Sequence, residues 1–198
     1  MNLETAKQEV VNRILSAQGA HAPYIVAVDG RCAAGKTTFA NEVAKITGSA
    51  VVHMDDFFLQ PYQRTQQRLA TPGENVDWER FKSEVLLPLS RGETAYFRPF
   101  DCHTLGFLRE ISADPQNGVI VEGTYSLHKA LFDFYSFRVF LHVSPGEQLQ
   151  RIRKRNGESG AKVFAEKWIP LEETYFSAYD LKNRCDLVVN QDLKTIKL

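Results

Sequence analysis

The segment Gly30-Arg31-Cys32-Ala33-Ala34-Gly35-Lys36-Thr37 constrains this chain more than any other, because it fits GxxxxGKT and has the flanks that motif needs. Tyr24-Ile25-Val26-Ala27-Val28-Asp29 precedes it as a short apolar run without alternation, the pattern of a strand covered on both faces. Lys36 to Thr47, stopped by Gly48, follows it with helical character. Glycines at both ends let the backbone wrap around phosphate oxygens, and the helix behind adds its positive N-terminus. The segment is therefore expected to bind a triphosphate through the amides of Gly30, Arg31, Cys32, Ala33, Ala34, Gly35, Lys36, Thr37 and Thr38. Lys36 would neutralise β and γ oxygens, and Thr37 would offer its hydroxyl to Mg²⁺.

The remaining pattern alternates strands with helices. Residues 2–17 repeat apolar positions at helical spacing up to Gly19; residues 50–54, 119–121, 137–143 and 186–189 are further apolar strands, and 94–97 is a short one. Helical stretches are expected at 77–89, 124–134, 145–156 and 160–181. Residues 60–75, polar and containing Pro61, Pro72 and Gly73, read as a long mobile loop. The expected fold class is α/β, three layers with a mainly parallel central sheet flanked by helices. One domain spans 1–198, with an insertion at about 57–105 and a hinged lid at about 151–162.

Charge narrows the partners. Lys plus Arg, 24, equals Asp plus Glu, 24, so nothing in the net charge favours nucleic acid or an anionic membrane. No stretch has the length of a bilayer span, and Met1 to Ala20 lacks an apolar signal core, which implies a cytoplasmic protein; homo-oligomerisation is left open. Cys32, Cys102 and Cys185 have no metal-ligand spacing and read as reduced thiols. Cys32, inside an anion-binding loop, is either a small filler or a thiol of lowered pKa.

In parallel α/β sheets the crevice lies at the carboxyl ends of the strands. Asp29, the pair Asp55-Asp56, and Glu122 each end an apolar run there. Glu122 is placed to hold Mg²⁺ beside Thr37, and either Asp55 or Asp56 to take a proton from an attacking hydroxyl, the choice depending on which face of the strand each occupies. Arg151 and Arg155 share a helix face that Arg153 does not, so these two could cover the transferred phosphoryl group. His53 reads as a core histidine; Trp168, Tyr175, Phe176 and Tyr179 read as a packing stripe.

Val28-Asp29-Gly30, Met54-Asp55-Asp56-Phe57-Phe58, Asn75-Val76-Asp77, Phe100-Asp101-Cys102-His103, Val121-Glu122-Gly123 and the arginines of 151–155 together resemble the uridine kinase and phosphoribulokinase-like family of P-loop kinases. That resemblance implies ATP and Mg²⁺ as cofactors and a small nucleoside-like acceptor. It implies Asp55 as catalytic base and second metal contact beside Thr37 and Glu122, and Asp77, Phe58, Phe100 and His103 at the substrate. Lys36, Arg155 and Arg151 would complete the catalytic set. Phe58, Val76 and Cys102 replace aromatic or phenolic residues of the family, so uridine or cytidine competes with pantothenate, a sugar or nicotinamide riboside as acceptor. A nucleotide hydrolase without an acceptor is the reading from another class.

Overall fold

The computed structural model describes residues 1–18 and 23–192, so Gly19, the expected stop of the leading helix, lies outside the described residues. Helix α1 (Leu3–Ala17) begins where the Asn2 side chain accepts from the Thr5 amide at 2.9 Å. Strand β1 (Ile25–Gly30) leads into helix α2 (Lys36–Thr47), which Gly48 terminates at φ 73°. Strands β2 (Ala50–His53), β3 (Ala95–Phe97), β4 (Phe100–Asp101), β5 (Gly106–Phe107), β6 (Ile111–Ala113), β7 (Val119–Glu122), β8 (Phe137–His142) and β9 (Leu187–Asn190) follow. Five of them form a parallel sheet in the order β2-β7-β1-β8-β9, while β3–β6 and β4–β5 are separate two-stranded ribbons.

The pleat of β1 divides the core. Ile25 and Ala27 join Val52, Val119, Val121 and Phe140 on one face, under Phe57, Phe81, Leu86, Tyr175 and Phe176. Val26 and Val28 join Ile120, Val139, Leu141 and Val189 on the other, under Ala6, Val10 and Ile14 of α1 and Phe39, Ala40 and Val43 of α2. Both faces are thus covered, which explains why these strands read as continuous apolar runs rather than alternating ones. In register, Val28 lies opposite Glu122 and Glu122 opposite His53, so the carboxyl ends of β1, β7 and β2 finish side by side.

Gly30 is fixed by contact. It sits at φ 133°, and a Cβ there would lie 2.1 Å from the Leu141 carbonyl oxygen of β8. Gly30→Ala is expected to cost about 4 kcal/mol or more, a fall of roughly 10 °C or more in Tm. A thermal melt within about 2 °C of the parent would contradict that close approach.

Three expectations need correction. Residues 60–75 are ordered: a 3₁₀ turn (Pro61–Gln63) precedes α3 (Gln66–Ala70), and Arg68 ties the segment down through the Val76 carbonyl at 3.1 Å and an ion pair with Glu79 at 2.5 Å. Residues 124–131 form turns and not a helix; Tyr125 lies at φ 78°, and the buried Asp29 carboxylate takes the Leu127 amide at 2.9 Å. The strand at 50–54 stops at His53, and Met54–Phe57 is a 3₁₀ turn, so strand pleating does not choose between Asp55 and Asp56. The helix expected at 77–89 is present, capped by Asp77: α4 (Trp78–Phe81) passes through a π turn (Lys82–Leu86) into α5 (Leu87–Ser90).

The same device recurs. Helix α6 (Pro145–Val163), interrupted at Gly157 with φ 72° and ψ 179°, runs through a π turn (Phe164–Trp168) into α7 (Ile169–Tyr179), which contains Pro170; α8 (Leu181–Arg184) follows. In both places a proline stands two residues after the widened turn, where the displaced hydrogen-bond pattern absorbs its missing N–H and its ring. No helix among the described residues is long and apolar enough to cross a membrane.

Candidate active site

The loop closes over its own carbonyls. The Arg31 amide donates to the Leu141 carbonyl at 3.2 Å and the Ala34 amide to that of Arg31 at 3.1 Å, while Ala33 at φ 59° and Gly35 at φ 80° reverse the chain into α2. Glycine suits that left-handed position, and the first-turn amides of Lys36, Thr37 and Thr38 are left without helical acceptors. The Lys36 ammonium curls back to the carbonyls of Gly30 at 2.8 Å and Arg31 at 3.0 Å and to the Thr124 hydroxyl at 3.0 Å. All three partners are neutral, so the cation keeps its charge for an anion. Arg31 turns its side chain behind the loop, onto Gln148 at 3.1 Å and an ion pair with Glu173. With its amide taken by Leu141 as well, Arg31 presents neither its side chain nor its N–H to the cavity, contrary to the expectation for this position.

Beside the loop, the Thr37 hydroxyl donates to Oε1 of Glu122 at 3.0 Å, and Nδ1 of His53 meets the same oxygen at 2.6 Å. His53 is therefore not a core histidine: its side chain is 40% exposed, and the bond to Glu122 raises its pKa. Thr37 and Glu122 pair a hydroxyl with a carboxylate at the mouth of a phosphate loop, an oxygen donor set that suits Mg²⁺ completed by phosphate and water. Asp55 opens onto the same cavity but has protein closely around it, and burial pushes its carboxyl upward against the pull of Lys36, with Glu122 adding to the rise. Asp56 is not among the cavity residues; its backbone carbonyl accepts from Arg80 at 3.0 Å. Asp29 does not join the crevice. It is fully buried, accepting from the amides of Gly30 at 2.6 Å and Leu127 at 2.9 Å and from the Tyr175 hydroxyl at 2.8 Å.

Helix α6 lays its basic face over the loop. Arg151 reaches the Ala33 carbonyl at 3.3 Å and Gln191 at 2.9 Å, and Arg155 approaches the Cys32 sulfur at 3.4 Å, whereas Arg153 pairs outward with Glu158 at 3.3 Å. Burial, helped by Glu172, pushes the Cys32 thiol up, the direction opposite to that of a low-pKa thiol. The open cavity, about 580 Å³, is lined by Lys36, Thr37, Asp55, Glu122, Arg151 and Arg155 among others, a size suited to small molecules.

No family model matches the sequence, and no curated protein matches it. Solved structures do match. A possible uridine kinase from Bacillus stearothermophilus superimposes with TM-score 0.68 and 20% identity over 96% of this chain and 100% of that one. A candidate fructose transport system kinase from Silicibacter sp. TM1040 gives 0.72 and 21% over 95% and 98%. D-glycerate 3-kinase from Cryptococcus neoformans gives 0.63 and 15% over 96% and 97%. The chain has a P-loop kinase fold.

Within this P-loop kinase fold, the expected acceptor residues are not gathered together. Phe58 lines the cavity. Asp77 is 4% exposed and engaged: one carboxylate oxygen caps α4 through the Arg80 amide at 3.1 Å and the other accepts from Gln63 at 2.9 Å. Phe100 is buried against Phe107 across the β4–β5 ribbon, with centroids 5.6 Å apart. His103 lies in the exposed turn after β4, its amide donating to Asp101 at 2.8 Å. Neither Phe100 nor His103 is among the residues that line the cavity.

The cavity also contains residues that sequence reasoning missed: Thr124, Tyr125, Phe164, Trp168 and Glu172. Glu172 is 4% exposed, accepts from the Cys32 amide at 3.1 and 3.2 Å, and is oriented by Gln148 at 3.0 Å, so α7 grips the loop directly; burial raises its pKa against the pull of Lys36. Trp168 belongs to the cavity and not to a packing stripe, whereas Tyr175 and Phe176 are core. The available signal was Pro170 inside a helical pattern, which marks a rotated helix face.

Proposed function

We propose that this chain is an ATP-dependent kinase that transfers the γ-phosphoryl group to a hydroxyl of a small metabolite, with the ribose 5′-hydroxyl of uridine or cytidine as the first acceptor to test. One observation carries the reading: Asp55 shares a single cavity with Lys36, Thr37 and Glu122, beneath Arg151 and Arg155. A loop that only binds nucleotide has no use for a carboxylate of raised pKa facing its lysine; a phosphotransferase uses one to accept the hydroxyl proton. In this proposal the first-turn amides of Lys36, Thr37 and Thr38 and the Lys36 ammonium hold the phosphates, Asp55 orients and deprotonates the hydroxyl, and the arginines stabilise charge on the phosphoryl group in flight. Mg²⁺, held by Thr37 and Glu122, would neutralise phosphate oxygens.

Purified protein with ATP and Mg²⁺, offered uridine, cytidine, D-fructose, D-glycerate, pantothenate and nicotinamide riboside in turn, tests this by ADP release and the mass of the product. Acceptor-dependent ADP release with a phosphorylated product supports it. Release indifferent to every acceptor indicates a hydrolase and overturns it. Arg155→Ala is expected to lower kcat by about 10²- to 10³-fold. Arg153→Ala, whose partner Glu158 lies outside the site, should stay within about twofold. Equal effects of the two substitutions in the same kinetic assay would remove Arg155 from the chemistry.

A further inference from the structure

We infer that His53 is a positioning residue for the metal half of the site: it holds one oxygen of Glu122, leaving the other oxygen and the lone pairs of the Thr37 hydroxyl free for a divalent cation. The inference rests on the kinase reading and goes beyond it, since His53 stands outside the motifs that carry the family resemblance and outside the residues that line the cavity.

Strand β2 forms the edge of the five-stranded sheet and pairs in parallel with β7, with His53 in register with Glu122. Partnered residues of neighbouring strands project from the same face, so the two side chains meet on the rigid sheet and not through a loop. Nδ1 of His53 lies 2.6 Å from Oε1 of Glu122. An ionised carboxylate can only accept, so the imidazole nitrogen is the donor. Thr37, on the first turn of α2, donates its hydroxyl to the same oxygen at 3.0 Å. Oε1 is thereby engaged twice, and among the described residues no group donates to Oε2. A hydroxyl has one proton and two lone pairs; with the proton committed to Oε1, the lone pairs of Thr37 remain for a cation.

Burial separates the roles of the pair. The His53 side chain is 40% exposed and adds nothing to either core, whereas that of Glu122 is 7% exposed and lines the cavity. Without the imidazole, Glu122 would be tied by the Thr37 hydroxyl alone, and a hydroxyl rotates to suit whatever accepts from it. One such tether does not fix the several rotatable bonds of a glutamate side chain, so carboxylate and hydroxyl would lose their common orientation together. His53 therefore acts through Glu122, as a donor to a carboxylate, and contributes no ligand atom of its own.

Calorimetric titration with a non-hydrolysable ATP analogue, once with Mg²⁺ and once with EDTA, gives the factor by which Mg²⁺ tightens nucleotide binding. His53→Leu is expected to lower that factor by about tenfold while binding in EDTA stays within about twofold of the parent. His53→Asn, whose side-chain NH₂ can stand where Nδ1–H stood, should recover most of the loss. In the Glu122→Gln background, where the carboxylate is already gone, adding His53→Leu should change the factor by less than about twofold. If the leucine variant fails to fold, His53→Ala carries the same comparison at this half-exposed position. Equal weakening with Mg²⁺ and with EDTA, no recovery in His53→Asn, or an undiminished effect in Glu122→Gln assigns His53 a merely structural role and overturns the inference. A parent that binds the analogue equally with and without Mg²⁺ overturns it as well. Hydrolysis by the parent that is indifferent to every acceptor would remove the kinase, while these binding factors, which involve no acceptor, still decide the role of His53.

Discussion

Lys36→Met is expected to lower kcat/KM for phosphoryl transfer by about 10³-fold or more while leaving the fold intact. The ammonium is nearly buried, and its three hydrogen bonds go to two carbonyls and a hydroxyl, none of which cancels its charge. A phosphate displacing those bonds would gain a charge-assisted contact in a partly desolvated cavity, where such contacts are strongest. Methionine keeps the aliphatic stem that packs beneath the loop, so the loss should appear in kinetics and not in the melt. Initial rates against ATP concentration, with circular dichroism melting as control, measure both. A variant within tenfold of the parent would show that the loop is not the donor site.

The second large effect is at Asp55. Asp55→Asn should lower kcat by about 10²- to 10⁴-fold with the ATP KM within about threefold, because the substitution preserves shape and removes only the basic oxygen. Asp56→Asn, one residue on, should remain close to the parent, since Asp56 is not among the cavity residues. The pH profile adds a check. Burial raises the Asp55 pKa, so the working deprotonated form is lost as pH falls through a value above the ordinary aspartate range of about 4. The kcat of the parent should therefore rise with pH along an acid limb that is absent from the residual activity of Asp55→Asn. An unchanged limb in that variant would assign the titration to another group.

Legibility followed the range of the interactions. The strand Ile25–Gly30 and the helix Lys36–Thr47 were readable because burial on both faces and a glycine stop are written in consecutive residues. Glu122 was readable for a similar reason: parallel strands end together, so polar residues at their carboxyl ends meet. Asp29 obeyed the same rule and still left the crevice, since Tyr175, 146 positions away, captures its carboxylate. Asp77 was misleading in its own way, as its acidity serves a helix cap and Gln63.

By itself, the sequence determined the glycine loop between β1 and α2, the parallel sheet covered on both faces and the carboxylates at the strand ends, because glycine conformation, strand burial and strand-end polarity are local properties. Only the tertiary structure decided that Asp55 and not Asp56 faces the loop, that Glu172 grips the Cys32 amide, and that Trp168 stands in the cavity. Each of those depends on a departure from regular geometry: a strand that ends in a 3₁₀ turn at Met54 and a helix widened by a π turn ahead of Pro170. A shift of one residue in either element rotates side chains to another face, and the packing of distant segments fixes that rotation.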